Sequence, residues 1–137
     1  VNVWANKVLI DVLFDTVGTI KQLVAISSGA SVSGSRGWNA YALSKAGLNM
    51  LIDLYSKEHT NCHFCSLAPG LIETGMQDYI KSLPEEMEKE YPVIRKLKDA
   101  RGTDKMPDPV EAASRIADSI SKALDYESGR FLDVRKI

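Results

Sequence analysis

The stretch NAYALSKAGLNML, from Asn39 to Leu51, sets a phenol, Tyr41, one helical turn ahead of an ammonium, Lys45. At about 1.5 Å rise per residue the two side chains share a helix face about 6 Å apart along the axis. A free phenol titrates near pH ~10, too high for ready proton exchange at neutral pH, and an adjacent ammonium stabilises the phenolate. That pairing turns a tyrosine into a usable general acid. A solvated helix face also produces Tyr-x-x-x-Lys by chance, so the pair gains meaning only from its surroundings.

Three other features point to the same place. Ser28 follows the apolar run LVAI, at the carboxyl end of a predicted strand. Ligands of open α/β sheets bind just beyond such ends, where a serine hydroxyl can donate to a substrate carbonyl. The turn Pro69-Gly70, followed by Leu71, Ile72 and Thr74, ends the next predicted strand and brings backbone towards the same crevice. Asn2 opens the helix that precedes the first strand. Taken singly these are turn serines, a strand stop and a helix cap; taken together they converge on one site.

The elements that would position them follow from periodicity. Val3, Val8, Leu9, Val12 and Leu13 predict a helix over about 2–15. A buried strand is predicted at about 21–27 and a Gly/Ser loop after it. A helix is predicted over about 40–58, capped by Asn39, with Leu43, Ala46, Gly47, Met50, Leu51 and Leu54 as its apolar stripe. CHFCSLA reads as the second strand and SGRFLDV as the last. Asp108-Pro109-Val110-Glu111 is a helix-start signal for a helix reaching about Leu124, and Ser82 with Pro84 and Glu85 is a weaker one. Residues 71–107, charged and broken by prolines, read as short helices in a mobile excursion rather than a core. Strands alternating with helices imply βαβ units and a parallel sheet. The fold class is therefore α/β, a Rossmann-like doubly wound parallel sheet. Three strands with flanking helices are few for such a sheet and read as its C-terminal half.

Composition sets the limits. At 137 residues the chain is one domain at most, and 45% apolar with 26% charged residues is ordinary for a globular protein. A net charge of −1 without a basic cluster points away from nucleic acid. No apolar run approaches the ~18 residues a membrane span needs. The N-terminus shows no signal-peptide layout. Cys62 and Cys65, three apart in a strand, point to opposite faces and do not make a disulfide; free thiols fit a reducing cytoplasm. His59 and His63 nearby do not turn this strand into a metal site, and no metal is expected.

Asn2, Ser28, Tyr41-x-x-x-Lys45, then Pro69-Gly70 with Thr74, in this order and spacing, resembles the short-chain dehydrogenase/reductase family. APGLIETGMQ and SGRFLDV look closest to its sepiapterin reductase and benzil reductase branch. The resemblance implies reduction of the carbonyl of a small-molecule substrate by a nicotinamide cofactor, NADP, with NAD open. Tyr41 would protonate the carbonyl oxygen and Ser28 would position it. Lys45 would hold the nicotinamide ribose, and Asn2 would anchor a water relayed to Lys45. Pro69, Gly70, Leu71, Ile72 and Thr74 would meet the cofactor. Trp38 and Met76 would line the substrate pocket, with Tyr79, Met87 and Met106 as further apolar wall or as ordinary packing. Asp133 matches an aspartate that holds the substrate in sepiapterin reductases. None of the nine glycines forms a G-x-G, so the phosphate-binding turn of the family is missing. The resemblance thus implies a catalytic half, with the dinucleotide-binding N-terminal half absent. A non-catalytic nucleotide-binding or assembly module of the same fold is the alternative. The two long helices carry apolar residues all round, Trp4, Leu9 and Leu13 on one and Leu48, Ile52 and Tyr55 on the other. The resemblance implies that they pair across a homodimer or homotetramer.

Overall fold

The computed structural model describes residues 2–137. Three parallel strands, β1 (Gln22–Ile26), β2 (His63–Ala68) and β3 (Phe131–Asp133), form one sheet in the order β1-β2-β3. Helices α1 (Trp4–Val17) and α2 (Asn39–Glu58) cover one face, and α6 (Pro109–Lys122) covers the other. Successive strand residues point to opposite faces, so Ala25 and Phe64 pack under α1 and α2 while Val24, Cys65 and Leu67 pack under α6. Cys62 and Cys65 accordingly fall in different cores and are both free and buried. This is the doubly wound parallel arrangement expected from the order of elements.

The helices bury a different face from the one their commonest apolar residues mark. In α2 the sheet side is Leu48, Ile52 and Tyr55, with Ile52 fully buried, whereas Leu43 is 72% exposed and Met50 and Leu54 also face out. In α1 only Ile10 is fully buried, backed by Phe14, while Val8, Leu9 and Val12 face out. Each helix carries two apolar stripes, and periodicity alone does not say which meets the sheet. The larger side chains win because Tyr55 stacks on Phe64 and its hydroxyl reaches the Asp11 carboxylate, which Lys7 also holds at 2.6 Å. Burial, with Asp11 beside it, pushes the Tyr55 phenol up to about 12.

Helix starts also differ from the expectation. Trp38, not Asn39, sits at the cap position of α2, and no side chain caps it. Asn2 lies in a turn ahead of α1, where its carbonyl accepts from the Asn6 side chain at 2.8 Å. Asp108 caps α6 as its Asp-Pro signal predicts, accepting from the amides of Val110 and Glu111 at 2.8 and 2.9 Å. A helix begins at Glu85, after Pro84, as the Ser82, Pro84 and Glu85 signal predicts, while Ser82 itself closes the preceding helix.

The excursion holds three helices, α3 (Gly75–Ser82), α4 (Glu85–Glu90) and α5 (Pro92–Ala100). It has its own small core, contrary to the reading of a coreless segment: Leu97, Ala100 and Met106 are buried against Trp38, Leu71 and Ile80. Met106 is therefore packing, not a pocket wall. Tyr91 lies on Gly37, whose φ of +85° and crowded α-carbon admit only glycine, and Arg36 stacks over Tyr91 and pairs with Glu90. Arg101 ties the far end back, bonding both Glu73 and Asp78.

Candidate active site

β1 and β2 run in parallel register, so their carboxyl ends deliver Ser28 and the Pro69-Gly70 turn side by side. Ser28 starts a short 3₁₀ turn (Gly29–Ser31), and its hydroxyl accepts from the Ala30 amide at 3.2 Å. That leaves its own proton free to donate. Asn49 on α2 holds the turn in place. It accepts from Ser27 at 2.5 Å and donates to Ser31 at 2.7 Å, and Ser31 in turn donates to the Ser28 carbonyl at 2.6 Å. Gly70 has a φ of +81°, which lets the chain turn sharply after β2.

A cavity of about 470 Å³ opens where these ends meet α2 and the excursion. Ser28, Trp38 and Tyr41 form one wall, and Gly70, Leu71, Ile72 and Thr74 form another. Met76 and Ile80 of α3 and Leu97 of α5 close the lid side, and Gln77 also faces the space. Tyr41 meets Trp38 edge-on at 5.7 Å between ring centres. It is 43% exposed, and among the described residues its hydroxyl has no hydrogen-bond partner, nor does that of Thr74.

Lys45, Asn2, Pro69 and Asp133 stand outside that lining. The Lys45 ammonium donates to the Ile26 carbonyl at 2.8 Å, and its burial lowers its pKa below the ordinary lysine value. Asn2 donates to Ser44 at 3.0 Å, the residue before Lys45, and so ties the start of α1 to α2. Asp133 is buried, and both its oxygens accept from Arg135, at 2.8 Å from Nε and 2.5 Å from Nη2. The Arg135 guanidinium holds the Asp133 carboxyl below the usual carboxylate range. Its oxygens are thus spent on a neighbour and do not face the cavity. The sequence reading passed over Asn49 and Arg135. Asn49 lies one turn beyond Lys45 on the same helix, the only hint of its role.

The nicotinamide end of a dinucleotide fits the chemistry of this donor set: a phenol and a threonine hydroxyl without partners among the described residues, and the half-buried turn over 70–72, on one cavity. None of the nine glycines forms the G-x-G of a pyrophosphate-binding turn.

A doubly wound parallel sheet with a serine, a tyrosine and a glycine turn opening on one cavity beyond its strand ends defines an α/β fold with its site at the carboxyl edge. The family description "short chain dehydrogenase" matches residues 8–84, more than half of the chain. The chain belongs to this short-chain dehydrogenase family of oxidoreductases. It is 29% identical to a benzil reductase ((S)-benzoin forming) of Bacillus subtilis over 120 residues, covering 85% of this chain and 47% of the relative. It is 27% identical to the sepiapterin reductase of Mus musculus over 119 residues, covering 87% of this chain and 44% of the relative. The chain spans less than half the length of these relatives. A solved short-chain dehydrogenase/reductase from Saccharomyces cerevisiae superimposes with a TM-score of 0.76 at 20% identity, over 98% of this chain and 54% of that one. An angucycline C-6 ketoreductase, solved with bound NADP, does so with a TM-score of 0.65 at 19% identity, over 98% of this chain and 49% of that one.

Proposed function

We propose that this chain is the catalytic half of an NADPH-dependent carbonyl reductase, completed by a dinucleotide-binding half that the 137 residues do not include. The observation that carries the reading is the single cavity onto which Ser28, Tyr41 and the Gly70–Thr74 backbone open. NADPH, when bound, supplies the hydride; the half that holds the adenosine ribose would decide between NADPH and NADH. Ser28 donates its free proton to the substrate carbonyl and orients it. Tyr41 gives the oxygen its proton as negative charge develops there. Lys45, one turn beyond Tyr41 on α2, is the positive charge that would serve Tyr41 once released from the Ile26 carbonyl, and Asn2 steadies the helix that carries both. Trp38 and Met76 supply apolar wall for a small apolar or aromatic substrate. Asp133 acts through Arg135 rather than on the substrate directly. The exposed stripes of α1 and α2 pair with those of a second copy in a homodimer, which can double to a tetramer. The free thiols of Cys62 and Cys65 fit a cytoplasmic setting.

The test is Tyr41→Phe in the full-length enzyme. The ring keeps its contact with Trp38, and the lost hydroxyl has no partner, so stability should hold within about 0.5 kcal/mol. Carbonyl reduction should fall roughly 10²–10⁴-fold with NADPH affinity unchanged. Turnover above about a tenth of wild type would remove Tyr41 from the chemistry. NADPH binding without any carbonyl reduction by the wild type would favour a non-catalytic module.

A further inference from the structure

The cavity has a second lobe with a larger polar share than the first. It measures about 410 Å³ and shares Ser28, Trp38, Gly70, Leu71 and Leu97 with the first. Its remaining wall includes Gly29, Ser33, Ser35, Lys96 and Arg135, and no carboxylate lines it. The Arg135 side chain lies across the two turns that build the site. A β-carbon on Gly29 would stand 3.5 Å from its Nη2, and one on Gly70 3.6 Å from its Cδ. Gly29 adjoins Ser28, so the cation sits within a residue's span of the group that would hold the carbonyl.

Arg135 is fixed as a presenting group rather than a drifting surface charge. Asp133, 6% exposed, takes its Nε and one Nη2 proton and also accepts from its backbone amide at 3.0 Å. A guanidinium has five N–H donors, so three remain, and two of them, one on Nη1 and one on Nη2, form the edge turned away from Asp133. The Arg135 side chain is itself 54% exposed and open to a ligand. Lys96 adds the uncompensated charge. Its helix neighbours Arg95 and Lys98 are paired with Asp99 and Glu88, while Lys96 has no carboxylate partner among the described residues. Asp99 and Asp104 line a neighbouring recess that shares Leu71, Lys96 and Arg135 with the lobe, and neither forms an ion pair with Lys96 or Arg135. The lobe therefore combines the free edge of a held guanidinium, an unpaired ammonium and the Ser28 and Ser35 hydroxyls, Ser33 giving its proton to the Gly29 carbonyl, and this is a donor set that recognises a carboxylate.

We propose that this lobe binds a carboxylate of the substrate, held by Arg135 and Lys96, and that the carbonyl compound reduced beside Ser28 is an oxo acid. The proposal rests on the catalytic reading above and names its substrate class. Asp133 is then a positioning residue whose work is to aim Arg135.

The probes are phenylglyoxylate and its methyl ester, which share one ketone and one ring and differ in charge. The ester carbonyl is intrinsically more electrophilic, so the decisive quantity is how the acid-to-ester ratio of kcat/KM changes with mutation. In the full-length enzyme, Asp133→Asn with Arg135→Gln removes both charges without leaving a buried one unpaired, and should lower that ratio about tenfold or more, through KM for the acid. Lys96→Gln, on an exposed helix face, should lower it several-fold with folding unchanged. Ratios unchanged in both variants overturn the proposal. Titration of the 137-residue chain by NMR separates the two readings. Carboxylate-selective shifts at Gly29 and Arg135, with neither compound turned over by the full-length enzyme, would sink the catalytic reading and leave the subsite standing. Shifts that do not distinguish acid from ester would overturn the subsite.

Discussion

Asn49 offers a direct measure of how the Ser28 turn is held. Replacing it with alanine removes the acceptor of the Ser27 hydroxyl and the donor to Ser31. Each such bond contributes about 0.5–1.5 kcal/mol net. Ser27 is only 3% exposed, so its hydroxyl would be left without water or partner, at a cost of about 1–3 kcal/mol. The terms overlap, and the expected loss is roughly 2–4 kcal/mol, a large share of the roughly 5–15 kcal/mol typical of a domain. Urea unfolding followed by circular dichroism should show the midpoint falling by about 1–2 M with the slope unchanged. Adding Ser27→Ala should recover part of the loss, because the orphaned hydroxyl goes with it. A midpoint shift below about 0.3 M, or no recovery in the double variant, would mean that the Asn49 bridge does not hold the turn. In the full-length enzyme Asn49→Ala should slow reduction further than its stability loss explains, since the Ser31 hydroxyl that anchors the Ser28 carbonyl is no longer held by Asn49.

The buried phenol of Tyr55 gives a pH signature. Its folded pKa of about 12 lies above the unfolded value near 10, so the unfolded chain loses its proton first. Stability should fall between about pH 10 and 12, by at most roughly 3 kcal/mol, and Tyr55→Phe should abolish that slope; an unchanged slope would refute the assignment. Calorimetric titration of the 137-residue chain with NADPH should show nothing tighter than millimolar, because the pyrophosphate cradle is missing, and a micromolar constant would overturn that view. Light scattering on the full-length enzyme at micromolar concentration should give a dimer or its multiple. Met50→Glu, on the exposed stripe of α2, should weaken it, and a monomer in both cases would remove the pairing argument.

Much of this was legible in the residues. Short apolar runs and helical periodicity placed all three strands and the long helices, because each strand is short, apolar and bounded by a turn residue at one end. Tyr41 and Gly70 pointed to the candidate cavity because their chemistry is local, whereas Lys45 and Pro69 stand outside its lining. What escaped is non-local. Which apolar stripe of α2 meets the sheet depends on Phe64 and Asp11, which come from other elements. The engagement of Asp133 by Arg135 depends on a side chain folding back two residues, which no periodicity records. The small core around Met106 required three lid helices to close on one another, and charged, proline-broken sequence disguised it.

The contact between Lys45 and Ile26 couples two events that otherwise look independent. The Ser27 amide donates to Leu67 of β2, so across the same peptide plane the Ile26 carbonyl points away from the sheet, along the open edge of β1. The Lys45 ammonium occupies that oxygen. A further strand joining the sheet at this edge would claim the same acceptor with a backbone amide, and the two donors would be rivals. Completing the sheet would displace the lysine and free its charge for the cavity. Until then the edge is plugged by one of the site's own residues.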